Sequence, residues 1–386
     1  MTDPISRRRL LQRGGAGALS LSALAYLAAC GEESGGSSQN KQSAVIKKGK
    51  IAGPLYVANW PLYIDEKHLT LKKFEQRYGV SVKYVEEVND NNEFFGKVHQ
   101  QYDRGDSGGR DIHVVTDWMA GKMIQRGYVQ KLDHAALPHV TANLIDRLKS
   151  PSFDPKRDYS VPWQSGLTGI IYRKDKVKRT PKSIDDLFDP DYKGKVTMLT
   201  EMRDTVGLVA ASMGFDPEKA SVDDFMKAID KIGKASDSGQ IRGFTGNEYT
   251  KDITKGDSWV IIGWSGDAVQ LEADNPNIKF VPPESGVALW TDNMEVPVGA
   301  PHAYTAEKFM DFVYEPEIQA VITAYVNYIC PVNGVKEILQ KSDPSIGNNQ
   351  LIFPSAKTLD DAFIFRQLKP DEDTELTEAF QKVIGA

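Results

Sequence analysis

Short apolar runs alternate with amphipathic segments along most of this chain, and that alternation limits the folds open to it. Residues 55–58 read as a strand. Leu71, Phe74 and Tyr78 mark one helical face, which Gly79 stops. Val80, Val82 and Tyr84 alternate as the next strand; Phe94, Phe95, Val98 and Tyr102 stripe another helix; residues 111–115 are again a strand. After a boundary the same order resumes. Residues 162–172 are extended, 194–199 form a strand that enters a helix over 204–213, and Phe225, Ile229 and Ile232 stripe a helix over 222–232. Strands follow at 259–263 and 278–281, then a turn-rich stretch at 282–286. Helices over 306–314 and 317–325 are broken at Glu315-Pro316. No internal repeat occurs. Strands alternating with helices predict an α/β fold with mostly parallel sheets flanked by helices. Two such blocks predict two lobes with a cleft between them, where ligands lie outside the carboxyl ends of the strands.

The first thirty residues give an address. Arg7, Arg8, Arg9 and Arg13 precede a weakly apolar Gly/Ala/Ser run that ends in Leu27-Ala28-Ala29-Cys30. That run is too short to cross a hydrocarbon core of about 30 Å. The arginines followed by Leu10-Leu11 resemble a twin-arginine export signal, and Leu-Ala-Ala-Cys resembles a bacterial lipobox in which Cys30 is lipidated. Residues 1–29 are therefore expected to be a signal peptide. Residues 30–50, Gly/Ser-rich and without period, are expected to be a lipidated Cys and flexible linker. The mature protein is expected outside the cytoplasmic membrane, tethered to its outer face or in the periplasm.

The 386 residues, less those 29, leave 357, enough for two ordinary domains. The formal charge is −6, and without the +3 of residues 1–29 (four Arg, one Asp) the remainder is about −9. An acidic surface argues against nucleic acid and suits a cationic ligand. With Cys30 lipidated, Cys330 has no disulfide partner and is expected to be a small buried hydrophobe.

Four of the six tryptophans read as lying just past strands: Trp60, Trp118, Trp264 and Trp290. Glu201 and Asp204 follow the strand ending near Leu199, and Asp292 stands two residues beyond Trp290. Each has a plain structural alternative. A tryptophan can pack a lobe edge, and Asp204 can cap its helix. Jointly, aromatics and carboxylates at a cleft suit an organic cation with apolar stretches. An ammonium over an indole gains roughly 0.5–1 kcal/mol, or ~2 or more when desolvated. A buried ammonium also needs an anion. Phosphate ligands would call for Arg/Lys and helix N-termini instead.

Beyond the signal and linker, the chain resembles the spermidine/putrescine-binding proteins of polyamine ABC importers. The matching stretches are residues 56–63 (YVANWPLY), 111–116 (DIHVVT), 153–155, 159–162, 192–195, 264–266 and 290–292. The resemblance implies a two-lobed periplasmic-binding-protein fold of type II, with lobe 1 from 51–167 plus 291–337 and lobe 2 from 168–290 plus 338–386. It implies a receptor that closes on its ligand at a hinge near residues 166–169 and performs no chemistry. By position, Trp60 and Tyr63 match first-lobe aromatics that flank the polyamine. Trp118 stands where an aromatic faces Trp290 across the chain, with Thr116 beside it. Glu201 and Asp204 match an acidic pair that takes an ammonium, and Trp264 a second-lobe aromatic. Asp292 matches the acid that meets the secondary amine, and Tyr328 a late tyrosine near the other end. Two departures stand out. Pro61 replaces a hydroxyl residue, and around Phe365 an apolar residue replaces a glutamine that binds a terminal amine.

The implied partners are a polyamine, the permease of an ABC importer and the membrane through lipid on Cys30, with the receptor a monomer. No Gly-Lys-Ser/Thr phosphate cradle occurs, so the ATPase is expected to be a separate chain. No Gly-x-Ser-x-Gly elbow or His-Glu-x-x-His helix supports a hydrolase, and neither cofactor nor metal is expected, since the six histidines are scattered. A receptor of the same fold for another organic cation is the alternative.

Overall fold

The computed structural model describes residues 44–385. The signal peptide, Cys30 and the linker as far as residue 43 lie outside the described residues. The folded body begins before the expected end of the linker. Val45 bridges Lys131, the Ile46 N–H donates to the Lys131 carbonyl at 2.8 Å, and the Ile46 side chain is buried. Burial of the apolar Ile46 side chain makes this contact favourable within an otherwise polar run, while Val45 stays exposed.

Nine strands form one continuous ladder: β1 (Leu55–Asn59), β2 (Val82–Glu86), β3 (Ile112–Thr116), β4 (Ser160–Arg173), β5 (Val196–Leu199), β6 (Ile241–Thr245), β7 (Val260–Trp264), β8 (Ile278–Val281) and β9 (Ala288–Glu295). Their order is β2-β1-β3-β9-β4-β7-β5-β6, with β8 also on β4. The flanks are parallel: β1 with β2 and β3, β5 with β6 and β7. The two long central strands, β9 and β4, run antiparallel to their neighbours. Helices follow the flanking strands, as the alternation requires.

Two strands were not legible. Trp290 and Asp292 lie inside β9, not in a turn past a strand as expected. Ala288–Glu295 is buried almost throughout, between β3 and β4, so its polar residues face partners and not solvent. β6, half-buried and with Gly243 at its centre, also lacked an apolar signal.

Two main cores divide the body. One gathers Phe74, Trp163, Phe309, Phe312 and Tyr314; the other gathers Ile170, Val206, Phe225, Ile261 and Phe380. A third, smaller cluster around Phe94, Met119 and Tyr128 lies beneath the helix that follows β3. The C-terminal passage runs from one core to the other. Val335, Leu339 and Ala362 belong to the first core, and the chain reaches the second only at Phe363. The stripe of Val335 and Leu339 buries toward the first core and holds the segment there.

Buried polar groups fix β9. Asp117 accepts from the Thr291 N–H at 3.0 Å and from Asn293 Nδ2 at 2.8 Å. Arg157, with φ of 53°, donates to Asn293 Oδ1 at 2.7 Å, to Ser160 Oγ at 2.9 Å and to the Leu148 carbonyl at 2.8 Å. Such satisfied buried networks hold one register.

Candidate functional site: an acidic, aromatic face on the central strands

Strand register brings the candidate residues together. Asp292 pairs with Thr116 on one side and Gln164 on the other; Trp290 pairs with Gly166; Thr168 pairs with Ala288 and Trp264. Directly opposed residues project to the same face, and so do residues two apart along a strand. One face therefore carries a Thr116–Asp292–Gln164 rung, the Trp290 ring over Gly166, and an Ala288–Thr168–Trp264 rung. The outer rungs are about 13 Å apart along β4, at ~3.3 Å per residue.

Each rung holds an acid. Thr116 Oγ1 donates to Asp292 Oδ1 at 2.7 Å and Tyr63 Oη to Asp292 Oδ2 at 2.8 Å. Asn91 Nδ2 donates to Thr116 Oγ1 at 2.9 Å and so leaves the hydroxyl hydrogen for Asp292. Thr168 Oγ1 donates to Asp204 Oδ1 at 2.9 Å, Trp264 Nε1 donates to Asp204 Oδ2 at 2.9 Å, and Trp290 Nε1 donates to Thr168 Oγ1 at 3.1 Å. Asp204 thus joins this cluster. The helix Met202–Ser212 is capped by Glu201, which accepts weakly from the Arg203 N–H at 3.5 Å.

A third acid was missed from sequence. Asp267 accepts from Tyr249 Oη at 2.7 Å and from Tyr328 Oη at 3.1 Å. The Tyr328 ring meets Trp290 at 5.4 Å and Tyr63 at 5.9 Å, both edge-to-face, and so joins the acid to the aromatic cluster. Gly266 permits this approach, because a Cβ there would overlap the Tyr328 ring. The available signal was position: Asp267 follows Trp264 on the helix that leaves β7.

Burial dominates the electrostatics. It pushes the Asp292 carboxyl up to about 7, against the Thr116 and Tyr63 hydrogen bonds, which lower it. Asp204 is pushed up to about 6 by burial, opposed by the Trp264 and Thr168 bonds. Glu201, largely buried at its helix terminus, is pushed up to about 8 by desolvation; Arg203 lowers it, while Asp204 and Asp90 raise it. Among the described residues no cation pairs with Asp292 directly; near neutral pH these acids therefore keep part of their protons, and a bound cation would favour the charged form.

The remaining expected residues divide. Trp60 follows β1 at a turn in which Leu62, at φ 57°, donates its N–H to Glu86 at 2.9 Å; this turn brings Tyr63 to Asp292. The indole N–H groups of Trp60 and Trp118 are buried without a hydrogen-bond partner among the described residues. Trp118 lies beneath the Arg203 guanidinium, 3.7 Å from the ring centroid. Phe365 turns into the second core, stacked on Phe225 at 4.4 Å. The amide near this end is Gln367, two residues on, whose Nε2 donates to the Trp118 carbonyl at 3.2 Å.

Among the described residues, no group of three or more His, Cys, Asp or Glu could hold a metal, and no helix is long and apolar enough to cross a membrane. Three acids, each held by hydroxyl or indole donors and separated by aromatic faces, can bind cations.

The chain is similar to known proteins. The chain is 25% identical over 308 residues to a spermidine/putrescine-binding periplasmic protein of Escherichia coli K12, covering 79% of this chain and 84% of that protein. It is 29% identical over 350 residues to a putrescine-binding periplasmic protein of the same organism, covering 85% and 90%. The crystal structure of a spermidine/putrescine ABC transporter substrate-binding protein from Streptococcus pneumoniae, 24% identical, superposes with a TM-score of 0.73 over 85% of this chain and 98% of that one. It shares the fold. The pattern of the bacterial extracellular solute-binding proteins matches residues 70–348, most of the chain. This protein belongs to that family of extracellular or periplasmic receptors.

Proposed function

We propose that this protein captures a polyamine such as spermidine or putrescine and delivers it to an ABC importer, performing no reaction of its own. The observation that carries the reading is the set of three carboxylates, Asp292, Asp204 and Asp267, each donor-held around the Trp290–Tyr328–Tyr63 cluster. Ammonium groups at methylene spacings match acids separated by aromatic surface. The carboxylates supply countercharge, and the rings cover CH₂ groups at roughly 0.8 kcal/mol each. The names of its relatives support the same reading.

In this proposal Trp60, Tyr63, Trp264, Trp290 and Tyr328 flank the ligand chain, and Thr116 orients Asp292. Glu201 strengthens the field at the Asp204 end, and Trp118 backs Arg203. The two cores become two lobes that close about β4 and β9. The receptor acts as a monomer, exported by the twin-arginine route and held near its permease by lipid on Cys30, with the ATPase a separate chain. Calorimetric titration with spermidine, putrescine and cadaverine tests ligand class. Saturable binding well below millimolar is expected; heat from an unrelated organic cation alone would contradict it. Mass spectrometry of the mature N-terminus, with diacylglyceryl mass on Cys30 expected, tests the anchor.

A further inference from the structure

Gln164 is fully buried, and neither its Oε1 nor its Nε2 has a hydrogen-bond partner among the described residues. Burying a primary amide unpaired is costly, and such groups normally find partners. Its position is set by the β4–β9 ladder, opposite Asp292. Asp292 in turn pairs with Thr116, and the 2.7 Å bond between those side chains identifies the face. Gly166, two residues along β4, lies under Trp290 on that same face. The amide therefore stands beside Asp292 on this face of the sheet, with both its ends unpartnered among the described residues.

We propose that Gln164 is a specificity-determining residue, forming with Asp292 a two-acceptor station for the internal secondary ammonium of a triamine. This rests on the polyamine reading above and names the preferred substrate within it. A secondary ammonium carries two N–H bonds. One goes to Asp292, whose oxygens each accept only one hydroxyl bond from Thr116 or Tyr63. The other goes to Gln164 Oε1, since the amide can turn its oxygen toward the ligand. Asp204 and Asp267 remain for the chain ends. A methylene at the same place offers no N–H and leaves carboxylate and amide unpaired. Sites built to hydrogen-bond a group strongly reject the analogue that lacks it.

The test is calorimetric titration of the full mature protein with spermidine and with the α,ω-diaminooctane that places a methylene at spermidine's internal nitrogen. The wild type should prefer spermidine. Gln164→Leu should weaken spermidine binding about tenfold while changing the diamine little, so that the preference collapses. Gln164→Glu, which keeps an acceptor, should retain the preference. The ligand-free melting temperature of Gln164→Leu should be unchanged or higher, because an unpaired buried amide is removed. If that variant does not fold, Gln164→Asn, with its oxygen withdrawn by one methylene, should show the same loss of preference. A wild type that binds spermidine, with the preference intact in the Leu or Asn variant, overturns the assignment and leaves the polyamine reading standing. A wild type that binds neither amine overturns both.

Discussion

At the residue scale, Asp292 carries the most consequence. Its oxygens are each held by one hydroxyl, and burial keeps its carboxyl near 7. Asp292→Asn removes the charge but keeps the shape, and should weaken spermidine binding about tenfold to a hundredfold, as expected for losing a hydrogen bond to a charged partner. Calorimetry on both proteins checks this. The same burial sets a pH dependence. Asp204 at about 6, Asp292 at about 7 and Glu201 at about 8 lie above their ordinary values, so the ligand-free protein binds protons that a bound ammonium must displace. The terminal amines, with ordinary values near 10, and the internal amine, lowered by its two cationic neighbours, all stay largely charged up to about pH 7. Affinity should therefore rise from pH 5 to about pH 7, with net proton release near pH 6 measurable by titration in buffers of different ionisation enthalpy. The sign for stability is opposite. An acid whose folded value is raised stabilises the ligand-free fold below its unfolded value near 4, and that contribution is lost as pH rises through 6 to 8. Affinity falling with pH would remove these acids from ligand binding.

At the scale of elements, the site depends on register. Gly166 lies beneath the Trp290 ring, and a Cβ there would overlap it. Gly166→Ala should displace the indole, lower the melting temperature by overpacking at roughly 1–3 kcal/mol, and weaken polyamine binding. Thermal melts together with tryptophan fluorescence during titration measure both effects. A variant with unchanged melting and affinity would show that Trp290 has room to move without cost. Register also explains what was legible in the sequence. β1, β3, β4 and β7 announce themselves through apolar runs next to helix signals, and the residues after them could be sought directly. β9 did not, because buried polar residues such as Asp292 and Asn293 serve Asp117, Arg157 and Thr116 across strands far apart in sequence. Asp267 and Gln164 were missed for a related reason. Their chemistry exists only once Tyr328 reaches Asp267 and Asp292 stands opposite Gln164. Asp204 showed the converse, since a residue equally placed to cap its helix spends its oxygens on Thr168 and Trp264 instead.

At the scale of the whole molecule, a polar clamp joins the second core to the third, smaller cluster. Arg203, on the helix after β5, covers Trp118 on the helix after β3 and donates to Asp373 Oδ1 at 2.6 Å. Lys122 meets the other Asp373 oxygen at 3.3 Å, and Gln367 bonds the Trp118 carbonyl. Lys122 is partly exposed, so its pair contributes little. The desolvated Arg203–Trp118 contact contributes more. Asp373→Asn should loosen Arg203 and shift the ligand-free population toward open forms. Polyamine affinity would fall about threefold to tenfold, because binding then has to restore the closed state. Small-angle scattering should show a larger ligand-free radius of gyration that spermidine restores; identical radii and affinity would assign the clamp to surface packing. Ligand recognition by paired carboxylates remains the central claim, and calorimetric titration of the mature protein with spermidine at pH 8 tests it most directly. One-to-one binding well below millimolar, reduced at least about tenfold by Asp292→Asn, is the predicted result. The absence of saturable heat up to millimolar spermidine, or equal affinity in the two proteins, would contradict it.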